Sequence, residues 1–106
     1  MSEFTITLLI SGINAPTCAT YLVTKPDFIL GKAESCDAVI PFSGEISREH
    51  AKISWSSQGY TITDLGSTNG TFVNGMMLRP NEPQPLSPGD RFGLSTFLFS
   101  VESIKR

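Results

Sequence analysis

Residues able to do chemistry collect in three short stretches of the chain: "GKAESCD" at 31–37, "SGEISREH" at 43–50 and "LGSTNGT" at 65–71. They contain the cations Lys32 and Arg48, the hydroxyls of Ser47, Ser67 and Thr68, and the amide of Asn69. Almost all of these groups donate hydrogen bonds. Such a set suits a phosphate ester, which offers three acceptor oxygens and about −1.5 to −2 charge near neutral pH. Backbone N–H groups in turns built on Gly66 and Gly70 add further donors. Hydroxyl-rich loops are also ordinary solvated turns, so the inventory acquires meaning only from a wider pattern.

Catalytic patterns fail on spacing. His50, Ser47 and Asp64 can be written as a nucleophilic triad, but no G-x-S-x-G elbow surrounds Ser47, and the serine lies only three residues before the histidine at the start of a strand. A histidine at such a position more commonly braces a neighbouring loop through its ring nitrogens. One histidine and two scattered cysteines fall short of a zinc site. Gly31-Lys32 lacks the glycine five residues earlier that a nucleotide phosphate loop needs. "DLGSTNGTFVNG" has Asn69 where a calcium loop needs its glycine and Gly75 where it needs its bidentate glutamate.

The elements that must position these loops read as strands throughout. Phe4, Ile6, Leu8 and Ile10 alternate along a first strand, "CATYLVT" (18–24) follows, and "DFIL" runs into Gly31. "AVI" (38–40) precedes a ten-residue loop. "AKISWSS" and "GYTITDL" form a hairpin turning near Gln58-Gly59, with Ala51, Ile53 and Trp55 on the buried face. Asn74-Gly75 is a type I′ turn joining "TFV" to "MMLRP". The proline-rich segment "NEPQPLSPGD" allows at most a short edge strand. "RFGLSTFLFSVESI" closes the chain as a hairpin through Ser95-Thr96. No stretch repeats apolar residues at helical spacing. Ten or eleven short strands predict an all-β sandwich of two packed sheets whose loops meet at its ends.

Bulk properties agree with a single domain. The chain has 106 residues, 40% hydrophobic and 17% charged, with a formal net charge of −2. This composition predicts a folded unit with no general nucleic-acid or membrane surface. The apolar runs are too short to span a bilayer, and the start lacks the features of a signal peptide. A cytoplasmic chain, or the cytoplasmic piece of a longer one, is expected, and Met1 suggests an N-terminal position. Cys18 and Cys36 are expected to be reduced core residues, and "NGT" at 69–71 to be a turn instead of a glycosylation site.

Taken in order, "ILGK", "ISREHAKI" and "DLGSTNGTFVNG", followed by "LSPGDRFGL", resemble the signature of forkhead-associated (FHA) domains: a glycine-arginine pair, serine-x-x-histidine, an asparagine-glycine turn and a GD turn at similar intervals. The likeness extends over roughly 4–104 and makes 1–106 a single domain. It implies an FHA/SMAD-like sandwich of about eleven strands in two twisted sheets. It also implies recognition of phosphothreonine peptides by loops at one end, with no catalysis and no cofactor or metal. Carried onto this chain, Ser47 and Thr68 donate to the phosphate, Asn69 holds the peptide backbone, and Arg48 touches peptide or phosphate. Gly31, His50 and Gly70 support the loops. The implied partner is a phosphothreonine-containing protein, a Ser/Thr kinase or kinase substrate, in phosphorylation-dependent signalling. Lys32 departs from the pattern's arginine and cannot make a two-pronged guanidinium contact. That departure, with Glu34, Asp37, Glu45 and Glu49 nearby, motivates an alternative: a phosphate-independent scaffold or assembly domain with a degenerate site.

Overall fold

The computed structural model describes residues 8–13, 20–40 and 45–103. Among the described residues eleven strands follow one another: β1 (Leu8–Gly12), β2 (Thr20–Leu22), β3 (Asp27–Gly31), β4 (Ala38–Val39), β5 (Ala51–Ser56), β6 (Gly59–Asp64), β7 (Thr71–Val73), β8 (Met76–Met77), β9 (Gln84–Leu86), β10 (Arg91–Leu94) and β11 (Phe97–Ser103). They make a six-stranded sheet in the order β2-β1-β11-β10-β7-β8 and a five-stranded sheet in the order β4-β3-β5-β6-β9. All pairings between strands are antiparallel except β3 with β4.

Alternation along the strands builds the core between the sheets. Leu8 and Ile10, Phe28 and Leu30, Ala51 and Ile53, Phe92 and Leu94, and Phe99 and Val101 are all buried, each pair two residues apart on one face of its strand. Phe92 and Phe99, opposite one another in register, stack with ring centroids 5.1 Å apart. Trp55, expected on the same face as Ala51 and Ile53, is only half-buried. It pairs with Tyr60, also half-buried, one step from the end of the β5–β6 hairpin.

The turns follow their residues closely. Asn74 and Gly75 both have positive φ, 49° and 86°, as a two-residue type I′ connection requires. Ser56 pairs with Gly59, so the β5–β6 turn is Ser57-Gln58, one residue before its expected place. The proline-bearing β9 lies at the edge of the five-stranded sheet, where Pro85 costs no interior ladder bond. Phe4, Ile6 and Cys18 lie outside the described residues. Cys36 is buried, and its thiol donates to the Arg48 carbonyl at 3.0 Å.

Candidate functional site

The three polar stretches meet at one end of the sandwich, laced together mainly by backbone. Lys32 N–H donates to the Ser47 carbonyl and Ala33 N–H to the Arg48 carbonyl, both at 3.0 Å, so 31–33 and 47–48 run side by side. Gly31 makes this possible. A Cβ there would overlap the Arg48 carbonyl oxygen and touch Cys36 Sγ, so no other residue fits without moving the backbone. Thr68 N–H then donates to Ser47 Oγ at 3.1 Å, and Asn69 Nδ2 donates to the Glu45 carbonyl at 3.0 Å, joining the third stretch to the second.

His50 lies beneath this junction with 0% exposure. Its Nδ1 accepts from Ser47 N–H at 3.1 Å, which leaves Nε2 as the protonated nitrogen; that N–H donates to the Gly70 carbonyl at 2.8 Å. The neutral ring is thus a strut between two of the loops. Burial lowers its pKa, against opposing pulls from the Gly70 carbonyl and the Asp64 carboxylate. Gly70 has φ of 92°, a conformation costly for other residues, and its carbonyl also accepts from Ser95 N–H at 2.9 Å.

A second support is the buried carboxylate of Asp64 at the end of β6. Oδ2 accepts from the N–H groups of Gly66 (3.0 Å) and Ser67 (3.1 Å), while Oδ1 accepts from the hydroxyls of Ser67 and Thr71. Ser67 Oγ in turn accepts from Gly70 N–H at 3.0 Å, closing 64–71 into a rigid loop. Burial pushes the Asp64 carboxyl up, but the Ser67 and Thr71 hydroxyls and the two N–H donors outweigh it and hold the group below its usual range. Sequence reasoning gives Asp64 no supporting role: it stands in a rejected triad, in a rejected calcium loop and, without an assigned function, at the head of the FHA-like "DLGSTNGTFVNG". Its signal was the spacing: an aspartate two and three residues before the N–H groups it accepts is an Asx-type turn.

A fourth loop joins the end. Ser95 and Thr96, in the β10–β11 turn, donate their hydroxyls to Glu45 Oε1 at 2.6 and 3.2 Å. Two of the four nearby acids therefore have other work. Glu45 holds this turn, and Asp37 pairs with Lys25 Nζ at 2.8 Å while accepting from Ile29 N–H. Lys32, Arg48, Thr68 and Asn69 are exposed around the rim, and Ser47 is half-buried between them. The site is a cluster of exposed donors over a buried, fully hydrogen-bonded base. It has the chemistry to hold an anion, and His50 activates no nucleophile in it, because both nitrogens of its ring are committed to backbone.

Comparison with known proteins agrees with this geometry. The family model for the FHA domain matches residues 28–95, more than half of the chain, and the chain belongs to the FHA-domain family. FHA domains are phosphothreonine-binding recognition modules. The chain is 41% identical to protein FraH of Nostoc sp. over 61 residues, 53% of this chain and 21% of that protein. It is 35% identical to the FHA domain-containing protein FhaA of Mycobacterium tuberculosis over 71 residues, 67% of this chain and 13% of that protein. It therefore spans about a fifth or less of these relatives. A solved structure from a study of phosphothreonine-dependent FHA domain interactions superposes with a TM-score of 0.81 at 25% identity, covering 94% of this chain and 99% of the other. Among the described residues, no helix is long and apolar enough to cross a membrane.

Proposed function

We propose that this chain recognises phosphothreonine in a peptide segment of a partner protein, a Ser/Thr kinase or kinase substrate, and thereby mediates phosphorylation-dependent association in cytoplasmic signalling, without catalysis or cofactor. The observation that carries the reading is the junction at Ser47: its carbonyl takes Lys32 N–H and its Oγ takes Thr68 N–H, so all three donor-bearing loops converge on one residue. Ser47 Oγ accepts in that contact and keeps its own proton to give to a phosphate oxygen. Thr68 offers its hydroxyl beside it, and Lys32 and Arg48 supply charge. Asn69 has one amide hydrogen engaged by Glu45, leaving the other and its carbonyl for the peptide backbone. Gly31, His50 and Gly70 hold these donors in place, and residues 1–106 constitute one FHA domain with a core of about 4–104.

Titration of phosphothreonine peptides and their unphosphorylated counterparts, followed by fluorescence anisotropy, tests the proposal. Binding confined to the phosphorylated forms is expected; equal binding of both would overturn it. Lys32, in place of the pattern's arginine, favours a second reading as a phosphate-independent scaffold. Phosphatase treatment of a lysate before capture separates the two, because only the first function loses its partner.

A further inference from the structure

Phe72 of β7 and Gly93 of β10 face away from the core. Their neighbours Thr71, Val73, Phe92 and Leu94 are buried, and successive residues of a strand point to opposite faces. The register then sets Met77 opposite Phe72, Phe72 opposite Gly93, and Gly93 opposite Leu98. This is an apolar row across four adjacent strands, with no side chain at its centre. Gly93 leaves a cleft of about 340 Å³ between Phe72 and Leu98, with Asn74, Arg91 and Ser95 at its margins. Met77 and Leu98, at the two ends of the row, are 63% and 39% exposed. Single exposed apolar residues need no explanation, but a contiguous row on a solvent-facing sheet marks a contact surface.

The row is continuous with the donor cluster. A methyl group added at Gly70 would meet Met77 Cε at 2.5 Å and the Phe72 ring at 3.4 Å, so these side chains lie directly on the turn that bears Thr68 and Asn69. Ser95, at the margin of the cleft, donates its N–H to the Gly70 carbonyl. Gly93 pairs with Phe72, two residues along from Gly70 and one strand over, which puts the cleft roughly 10 Å from that turn. Three to five extended residues cover the distance from a phosphothreonine bound there.

Three side chains offer far less than the roughly 800 Å² per partner that a stable stand-alone interface needs. A ligand already held at the donor cluster presents its flank at millimolar effective concentration, and for such a ligand one apolar contact is enough to matter. We propose that the row is a second contact for the phosphothreonine ligand itself: an apolar side chain of leucine, isoleucine, methionine or phenylalanine type, in the flank of the phosphorylated segment, docks in the Gly93 cleft between Phe72 and Leu98. This rests on the phosphothreonine reading of the site and adds a determinant to it.

The test uses two phosphothreonine peptide pools. In one, the positions three to six before the phosphothreonine and four to six after it are drawn from Leu, Ile, Met and Phe; in the other, from Ser, Asn and Gln. The position three residues after the phosphothreonine is alanine in both. The wild-type chain is expected to bind the apolar pool about fivefold or more tightly, consistent with partial burial of one side chain. Met77→Ser and Leu98→Ser, from the two ends of the row, should each draw that ratio toward one, with circular dichroism verifying the fold. The Met77 methyl resonance should shift with an apolar-flank peptide and not with a polar-flank one. Equal binding of both pools by the wild type would overturn the inference and leave the phosphothreonine reading standing, as would a preference that survives both substitutions. A peptide-free dimer in ultracentrifugation, abolished by Met77→Ser, would give the row to a second copy of the chain and equally overturn the proposal. Failure of either pool to outbind its unphosphorylated form would remove the underlying reading, and this inference with it.

Discussion

Two polar layers make up the loop end of the sandwich, and they follow opposite rules. In the lower one, His50, Asp64 and Thr71 are exposed by no more than 2%, and each has its polar atoms engaged by neighbours in the loops. In the upper one, Lys32, Arg48, Thr68 and Asn69 stand in solvent. Buried polar groups are tolerated only when paired, whereas a donor must remain available if it is to bind anything. The lower layer converts folding energy into a fixed geometry, and the upper layer presents that geometry to a ligand without having to order its loops at the moment of binding. Substitutions below should therefore weaken folding and binding together, while substitutions above should weaken binding alone.

The strongest way to break this contrast is at Asp64. Asp64→Ala removes the acceptor for two N–H groups and two hydroxyls at once. Leaving such groups without a partner costs about 1–3 kcal/mol each, so a total of about 4 kcal/mol or more is expected in chemical denaturation, with loss of phosphopeptide binding. The pH dependence has a definite sign. The folded-state pKa lies below the unfolded value near 3.8, so the stabilisation is complete above that value and is lost as pH falls toward the folded pKa. Acid titration of Asp64→Asn should lack this component.

His50 gives the next largest effect. His50→Ala leaves Ser47 N–H without its acceptor and opens a hole under the loops, for an expected loss of about 2–3 kcal/mol in the same denaturation assay. Because burial depresses the imidazole pKa, the unfolded chain binds a proton more readily than the folded one. Stability should therefore decline as pH drops below about 6.5 toward the folded-state value. A chain carrying His50→Gln should lose that slope.

Ser47 tests the boundary between the layers, since its backbone belongs to the lower and its hydroxyl to the upper. Ser47→Ala keeps the residue's two backbone hydrogen bonds and deletes the hydroxyl, and with it the acceptor of the Thr68 N–H. Calorimetric titration with a phosphothreonine peptide should show a loss of about 1.5–3 kcal/mol, roughly 10- to 150-fold in Kd, the worth of a hydrogen bond to a charged group. The unfolding midpoint should move much less.

The sequence carried the strands and the upper layer more clearly than it carried the base. Alternation at Ala51 and Ile53, at Leu8 and Ile10 and at Phe92 and Leu94 reads directly as burial, because one face of each strand meets the other sheet. Asn74-Gly75 and the proline-bearing β9 were legible because their backbone demands are local. The fourth loop was not. Ser95 and Thr96 reach Glu45 across about fifty positions, and nothing near either end announces the contact. Asp64 was readable in principle from its distance to Gly66 and Ser67, yet an isolated aspartate before a glycine-rich turn fits a metal loop as well as a capped one, and only the inward direction of its carboxylate decides. The apolar row was hidden for a third reason. Its members come from four strands and become neighbours only through register, which no single stretch displays.

Lys32 belongs wholly to the upper layer and gives the smallest expected effect, which makes it the finest probe of the contrast. Its backbone N–H is already committed to Ser47, so substitution of the side chain leaves the loop junction intact. An exposed cation acting on a phosphate through solvent contributes no more than about 1 kcal/mol, and less as salt screens it. Lys32→Ala should weaken phosphopeptide binding by up to about fivefold at low ionic strength, with the difference shrinking as salt is raised and with no change in the unfolding midpoint. Lys32→Arg should hold or raise affinity, because a guanidinium adds a planar pair of donors to the same charge. An alanine variant with unaltered affinity at every salt concentration would place the Lys32 ammonium outside the site, and the hydroxyls of Ser47 and Thr68 with Arg48 would then make up the phosphate-facing layer.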